Sequence, residues 1–319
     1  MNIGEMEWGV TLWVDLWVAG MAGGAFLTAF LADIFSGGRL RNLFRLAVCT
    51  GFILALIGVI LLLSHLGNVQ WFWHMFVTFR PESVLSLGGW ILTGWLTVAG
   101  IMILLWIISH YARGWQSFSE SVTKILGWIG FILSILLMTY TGVLISASSQ
   151  PFWSATPMLP AVFVISAVCS GVAWLVVVSL LVNWLNGTGA GAWDWFIEQF
   201  FDTSGWQIDS AAISRLAKSL VIVIVLELLT LAGFIIWLSA SGVSGATEGL
   251  ELLTGGQLSI WFWVGLVTAG LVAPLIMLVL NWNRDYTRGI VATIAASSAG
   301  LVVLGGLLVR ALLLIAGQA

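Results

Sequence analysis

Residues 46–64 read LAVCTGFILALIGVILLLS, a run of 19 residues without a charged side chain. A transmembrane helix needs about 20 consecutive residues that are mostly apolar, and this run meets the requirement. Seven other segments have a similar length and apolar character. The sequence therefore predicts about eight transmembrane helices, at residues 8–33, 43–65, 84–110, 125–147, 159–185, 216–240, 257–281 and 289–316.

The composition of the whole chain excludes a soluble protein. Of its 319 residues, 60% are hydrophobic and only 8% are charged. A soluble domain cannot bury that proportion of apolar side chains away from water. We therefore expect an all-α, polytopic membrane protein whose helices pack in bundles as a single integral membrane domain over residues 1–319.

The basic residues are distributed unevenly among the predicted connections. Nine of them lie at the odd-numbered connections: Arg39, Arg41, Arg45, Arg113, Lys124, Arg215, Lys218, Arg284 and Arg288. The even-numbered connections contain only Arg80. Because cytoplasmic loops are enriched in Lys and Arg, we expect both termini and the loops at 66–83, 148–158 and 241–256 to face outward. The expected location is the cytoplasmic (inner) membrane.

Several polar side chains fall within the predicted helices, where an ionisable group is costly and is therefore a candidate for function. Those expected in the outer half of the membrane are Asp15, His65, Tyr140 and Arg310. Glu227 lies closer to mid-depth, and Asp33 lies at the inner end of its helix. This distribution predicts an outer polar cluster with a sparse trail of polar groups toward the cytoplasm.

The sequence allows two interpretations for each of three of these groups. Arg310 lies about 10 Å from the end of its helix, so its side chain either extends to the outer interface or pairs with Asp15 or a similar acid. Asp33 either lies at the interface close to Arg39 or belongs to a proton path. An ionised Glu227 would be expensive in an apolar helix, so we expect it to be protonated or paired with a cation.

The chain lacks the ligand pattern of a haem or an iron–sulfur cluster. A haem held between helices needs two histidines at one depth, but His65 and His110 end helices at opposite faces and His74 lies in a loop. Cys49 and Cys169 are far apart, and no group of four cysteines exists to hold a cluster. We expect neither cofactor in this chain.

Five stretches together carry a resemblance to a known family. They are DLWVAGMAGGAFLTAFLAD at 15–33, SHLGNVQWFWHMFVTFRPESVLSLGGWIL at 64–92, YTGVLISASSQPFWSATPMLPAVFVISAVCSG at 140–171, LELLTLAGF at 226–234 and GGLLVRALLLIAGQ at 305–318. In this order they resemble the NrfD-type integral membrane subunit, the polysulfide reductase membrane subunit family.

The resemblance implies an anchor subunit of a respiratory oxidoreductase complex, as found in anaerobic respiration. Such subunits have no cofactors of their own; they anchor a ferredoxin-like iron–sulfur subunit and, through it, often a molybdopterin catalytic subunit. They exchange electrons with quinone or quinol near the membrane face where that partner docks. The expected ligand here is a menaquinone-like quinone or quinol, whose type the sequence does not specify.

The resemblance also implies site residues. Tyr140 falls on a tyrosine that the family uses to hold a quinone carbonyl, and Glu227 and Arg310 fall on positions where the family tends to have Glu and Arg. The expected quinone site contains Tyr140, His65, Asp15, Thr11, Trp153 and Arg310; the expected proton path contains Glu227 and Asp33; the expected docking surface contains His74, Arg80, Pro151 and Phe152.

Two positions depart from the family pattern. His65 replaces an acid that many relatives have after the second helix, and it either serves the site or only hydrogen-bonds a helix end. In the first helix, Thr11 and Asp15 stand where relatives often have His or Asn. Two other classes of function therefore stay open: a proton-translocating or transport module, and a structural anchor without a working quinone site.

Overall fold

The computed structural model describes residues 9–64, 80, 82–188 and 208–318. The helices, numbered in chain order, are α1 Val10–Phe35, α2 Arg41–Ser64, α3 Val84–Tyr111, α4 Gln116–Ser146, α5 Pro151–Ser154, α6 Leu159–Thr188, α7 Ser210–Ala240, α8 Ser244–Thr254, a π-helical segment Trp261–Val272 that continues into α9 Ala273–Leu280, and α10 Gly289–Gly317. Within these ranges, eight helices are long and apolar enough to cross a membrane. The prediction of an all-α protein with about eight such helices is confirmed.

Two helices begin earlier than the apolar runs predict. α4 begins at Gln116 and not at the predicted residue 125. Its first turns are helical, but their side chains are mostly polar and exposed, so they do not belong to the apolar run. α7 begins at Ser210, before the predicted residue 216, and the Asp209 side chain caps it by accepting a hydrogen bond from the Ala211 N–H at 3.2 Å. A hydropathy window registers neither a polar first turn nor a cap.

The centre of the bundle is formed by α1 and α6. α1 packs against α2, α4 and α6, and α6 packs in turn against α7 and α10. Gly24 of α1 and Gly171 of α6 lie so close together that a Cβ on either one would collide with the other helix. Small residues allow this close approach of backbones within a membrane. Large apolar side chains, such as Ile222 and Leu229 of α7, are exposed on the outside of the bundle.

The bundle has two ends, which we name after two aspartates of α1. Asp15 and Asp33 are 18 residues apart, or about 27 Å along the helix. The Asp15 end contains the start of α1 and the end of α10, since Trp17 Nε1 donates to the Val303 carbonyl at 3.0 Å and Arg310 Nε to the Leu16 carbonyl at 3.2 Å. The Asp33 end contains the turn between α1 and α2. The side of the membrane that each end faces stays a prediction.

The seventh spanning segment is π-helical over much of its length. The Thr268 hydroxyl donates to the Trp263 carbonyl, five residues back, at 2.8 Å. The segment ends at Val272, and Pro274, which has no N–H to donate, lies in the first turn of α9. Gly270 of this segment packs directly on Gly305 of α10.

Candidate functional site

Arg310 is completely buried at the junction of α1, α6 and α10. Its Nη1 donates to Ser166 Oγ at 3.1 Å and to the Gly306 carbonyl at 2.7 Å. Its guanidinium also lies over the Phe163 ring, 5.5 Å from the centroid. The side chain is 0% exposed, which excludes the interpretation that it extends to the membrane interface.

The acid coupled to Arg310 is Glu227 of α7. Glu227 is 2% exposed and forms side-chain hydrogen bonds with Ser166 and Cys169 of α6. It also interacts electrostatically with Arg310. The Ser166 hydroxyl therefore contacts both charged groups and bridges them across the helix interface.

The expectation that Arg310 pairs with Asp15 is wrong. The Arg310 guanidinium lies beside Leu16 and Gly20, on a different face of α1 from Asp15. Asp15 instead lies against α2, where a Cβ on Gly58 would be 2.8 Å from Asp15 Oδ1. Consecutive residues of a helix are rotated by about 100°, because a turn contains 3.6 residues. The polar groups at the Asp15 end accordingly form two clusters rather than one.

Both charged groups of the Arg310 cluster retain a buried polar atom without a partner. Arg310 Nη2 and Glu227 Oε1 have no hydrogen bond within the described part of the chain. A buried polar atom left unpaired costs about 1–3 kcal/mol. The cluster therefore has both a donor and an acceptor available for water or for a proton-carrying group.

The second polar cluster surrounds a small cavity between α1, α2, α3 and α4. Its lining includes Asp15 and Tyr140, together with Gly88 and Gly89 of α3. The Tyr140 ring lies against Gly88, where a Cβ would collide with it. Asp15 and Tyr140 are close enough to interact electrostatically. Sequence positions 125 residues apart are thus brought to one site.

This cavity has the polar groups that a quinone needs but little free space. Asp15 is 7% exposed, and its Oδ1 has no hydrogen-bond partner among the described residues. The volume of about 40 Å³ is well below the roughly 300 Å³ at which sites for drug-sized ligands begin. A tyrosine hydroxyl and a carboxyl group can hydrogen-bond the two oxygens of a quinol, but a ring of that size would fit only if the cavity widened.

Two other residues expected at the quinone site lie elsewhere. Trp153 is 0% exposed, and its Nε1 donates to the Leu313 carbonyl at 2.8 Å. Its ring also packs on Gly317, so the short helix α5 directs Trp153 onto the end of α10 and away from the lining of the cavity. Thr11 is half-buried one turn before Asp15 and does not line the cavity either.

The expected docking residues differ in exposure. Arg80 and Pro151 are exposed. Phe152 is 2% exposed and packs edge-on against Phe234, with ring centroids 5.9 Å apart. Its ring therefore supports this end of the bundle from within and cannot itself contact a partner in this structure. His65 and His74 lie outside the described residues.

Asp33 forms an ion pair at the opposite end of α1. Arg41 Nε lies 3.3 Å from Asp33 Oδ2. The expected neighbour, Arg39, instead donates from Nε to the Ser36 carbonyl at 2.9 Å. The partner is Arg41 because the turn after α1 brings the first residue of α2 back beside the last turns of α1.

Ser166 and Cys169 are not among the site residues that the sequence predicts. Both lie in the apolar α6, within VISAVCSG at 164–171, where a serine and a cysteine usually signify packing. The only signal was that polar side chains recur along an otherwise apolar helix. For metals, no group of three or more His, Cys, Asp or Glu side chains occurs within the described ranges.

Comparison with known proteins identifies the family. The family model described as Polysulphide reductase, NrfD matches residues 2–192 and 200–319. The chain is 28% identical to Protein NrfD of Escherichia coli (strain K12), over 98% of this chain and 96% of the relative.

Two further relatives are named as parts of reductases. A polysulfide reductase chain from Wolinella succinogenes is 25% identical over 98% of this chain and 94% of its own length. A selenate reductase subunit from Mesobacillus selenatarsenatis is 23% identical over 97% of this chain and 73% of its own length. Since the family model covers nearly all of a chain with eight apolar helices, this multi-pass membrane protein belongs to the polysulphide reductase NrfD family.

Proposed function

We propose that this chain is the membrane subunit of a respiratory oxidoreductase complex, and that it exchanges electrons between a membrane quinone or quinol and a docked iron–sulfur subunit. Its relatives named as parts of polysulfide and selenate reductases support a role in a complex. The quinone proposal rests on one observation. Asp15 and Tyr140 line the same cavity, and a buried carboxyl oxygen of Asp15 has no hydrogen-bond partner among the described residues.

The chain's own residues would bind the ligand and accept protons from its reduced form, the quinol. A quinol releases two protons together with its two electrons. In quinol oxidation the Asp15 carboxylate can accept the proton of one ring hydroxyl, the Tyr140 hydroxyl can hydrogen-bond the other ring oxygen and relay the second proton to water at the Asp15 end, and both electrons would pass to the docked iron–sulfur subunit. Four helices line the cavity that contains these groups. Leu85, which lines the cavity and is 50% exposed, is a side chain that can move to admit the ring.

The iron–sulfur partner would dock at the Asp15 end. Arg80 and Pro151 are exposed there and can contact it directly. Phe152 packs against α7 and Trp153 donates to α10, so both side chains hold α5 against the bundle. His74 is proposed as part of this surface from its sequence position alone. A molybdopterin subunit would join the complex through the iron–sulfur partner.

A proton-translocating role is the second candidate, and the Arg310 cluster favours it. Glu227, Ser166 and Arg310 form a buried chain of polar groups with an unpaired donor and an unpaired acceptor. Such a chain could carry a proton toward the middle of the membrane on the face of α1 that is turned away from Asp15. Asp33 would then be the group nearest the inner face, where it is paired with Arg41.

The variant Tyr140→Phe tests the quinone proposal. Loss of one hydroxyl that hydrogen-bonds the ligand should lower quinone-linked turnover of the purified complex about tenfold. Activity of the catalytic partner with a soluble dye should stay unchanged, because the dye bypasses this chain. Tyr111→Phe, an exposed tyrosine at the Asp33 end, is the matched control. Equal quinone-linked turnover in both variants would favour the structural-anchor alternative.

A further inference from the structure

A second cavity, of about 340 Å³, opens at the Asp33 end between the ends of α1 and α3 and the starts of α2 and α4. Its volume falls in the range of sites for small ligands, which begins near roughly 300 Å³. The cavity lies at the far end of α1 from the proposed quinone site. Nothing in the proposed electron transfer uses it.

The charges that line this cavity favour an anion. Asp33 is the acid, Arg41 lies 3.3 Å from it, and Lys124 of α4 interacts with it electrostatically. One acid and two bases leave one positive charge uncompensated. Lys124 is exposed and the Arg41 side chain is 25% exposed, so both can reach a ligand from the membrane surface.

The turn between α1 and α2 forms part of the cavity lining. Gly37 and Gly38 have φ angles of +68° and +86°, which favour glycine. Their N–H groups donate to the carbonyls of Ile34 and Asp33 at 3.0 and 2.9 Å. The donors available to a ligand are therefore the Arg41 and Lys124 side chains rather than the backbone of the turn.

The walls of the cavity are aromatic, as expected at a lipid interface. Phe44 and Trp106 are buried in the wall, and Trp128 is 54% exposed at its edge. The Trp128 ring packs edge-on against Phe30, with centroids 5.3 Å apart. Tryptophans are enriched where acyl chains meet headgroups. A ligand held here would have its polar part in the cavity and an apolar part against Trp128.

We propose that this cavity binds the headgroup of an anionic phospholipid, with its phosphodiester between Arg41 and Lys124. Asp33 Oδ1 is buried and has no hydrogen-bond partner within the described ranges, so it can accept from a headgroup hydroxyl. A glycerol headgroup supplies both the anion and the hydroxyl. A zwitterionic headgroup would leave the extra positive charge uncompensated. The excess of basic residues at this end places the lipid in the inner leaflet.

Native mass spectrometry of the full-length chain, released from detergent and titrated with lipids, tests the proposal. Phosphatidylglycerol should bind at least about fivefold more tightly than phosphatidylcholine or phosphatidylethanolamine, in keeping with the attraction of one extra basic residue near anionic lipid. Lys124→Gln should remove most of this preference. Lys124 is exposed, so the variant should still fold.

Arg284→Gln is the matched control, because Arg284 is an exposed base at the same end that does not line the cavity. It should leave the preference unchanged. An equal loss of the preference for phosphatidylglycerol in both variants would show that only general surface charge matters, and it would overturn the proposal. Tighter binding of phosphatidylethanolamine than of phosphatidylglycerol would also overturn it. Inorganic phosphate and glycerophosphoglycerol are added as competitors. Displacement of the lipid by either one at equal concentration would identify a soluble anion as the ligand instead.

Discussion

Arg310 and Glu227 are joined through a single hydroxyl, that of Ser166. Arg310 Nη1 donates to Ser166 Oγ at 3.1 Å, and the same side chain hydrogen-bonds the Glu227 carboxyl. The hydroxyl lets three helices, α6, α7 and α10, share one buried polar cluster. Arg310 is therefore tolerated in its apolar helix because α1, α6 and α10 supply acceptors and α7 supplies the opposite charge.

Loss of the bridging hydroxyl should destabilise the bundle. Ser166→Ala leaves a charged donor and a charged acceptor without a shared partner, which we expect to cost about 1–3 kcal/mol of unfolding free energy. Equilibrium unfolding in mixed detergent micelles measures the change. Ser179→Ala in the same helix is the control, because Ser179 Oγ is buried but has no hydrogen-bond partner among the described residues. Similar losses in both variants would show that the bridge contributes nothing specific.

One methyl group added at residue 88, in the wall of the cavity, should change the position of the Tyr140 side chain. Because the Tyr140 ring occupies the position of a Cβ at residue 88, Gly88→Ala should displace the ring. We expect quinone-linked turnover to fall about tenfold, as for loss of a ligand hydrogen bond, with dye-linked activity retained. Gly94→Ala in the same helix meets only ordinary contacts, 3.7 Å from Leu133, and should behave like the wild type. Normal turnover in the Gly88 variant would mean that the position of Tyr140 does not matter.

A proton path through Glu227 makes a separate prediction. Glu227→Gln keeps the shape of the side chain and removes its titratable proton, so quinone-coupled proton uptake in reconstituted vesicles should slow. The exposed Glu248 provides the control variant Glu248→Gln. Wild-type rates of uptake and turnover in the Glu227 variant would assign this residue to helix packing.

The orientation of the bundle can be tested by chemical labelling. Cysteines placed at Gln318 and Gly187, in a chain with Cys49 and Cys169 replaced by alanine, should react with an impermeant reagent from opposite sides of the membrane. The Gln318 variant should react from outside, because nine basic residues lie at the connections of the other face. Reaction of both variants from the same side of the membrane would contradict the predicted topology.

The apolar runs predicted the helices because length and hydropathy decide insertion. They did not predict which faces of the helices meet. Asp15 and Leu16 are neighbours in sequence, yet Arg310 donates to the backbone carbonyl of Leu16, while Asp15 faces α2 and the cavity. The helix that each residue of α1 faces depends on the rotation of about 100° per residue and on the close packing of Gly20 and Gly24 with α6 and α10. Neither contact can be predicted from a single sequence.

Resemblance to the family identified Tyr140, Glu227 and Arg310 as candidates, and the structure places them in two clusters. Trp153 does not line the candidate cavity, because its position after α4 predicts its depth but not the direction of its side chain. Its indole N–H is directed to Leu313 by the turn of α5. The π-helical segment was also beyond prediction, since hydropathy does not record which carbonyl each N–H reaches.

Photoaffinity labelling with an azidoquinone tests the quinone site most directly. In native membranes the label should attach to residues 12–19 of α1 or 137–144 of α4, which line the cavity. Excess unlabelled menaquinone should compete with it, and Tyr140→Phe should weaken it, whereas Tyr111→Phe should not. Labelling confined to α7 or to Trp261–Val272, and unaffected by Tyr140→Phe, would contradict a quinone site between Asp15 and Tyr140.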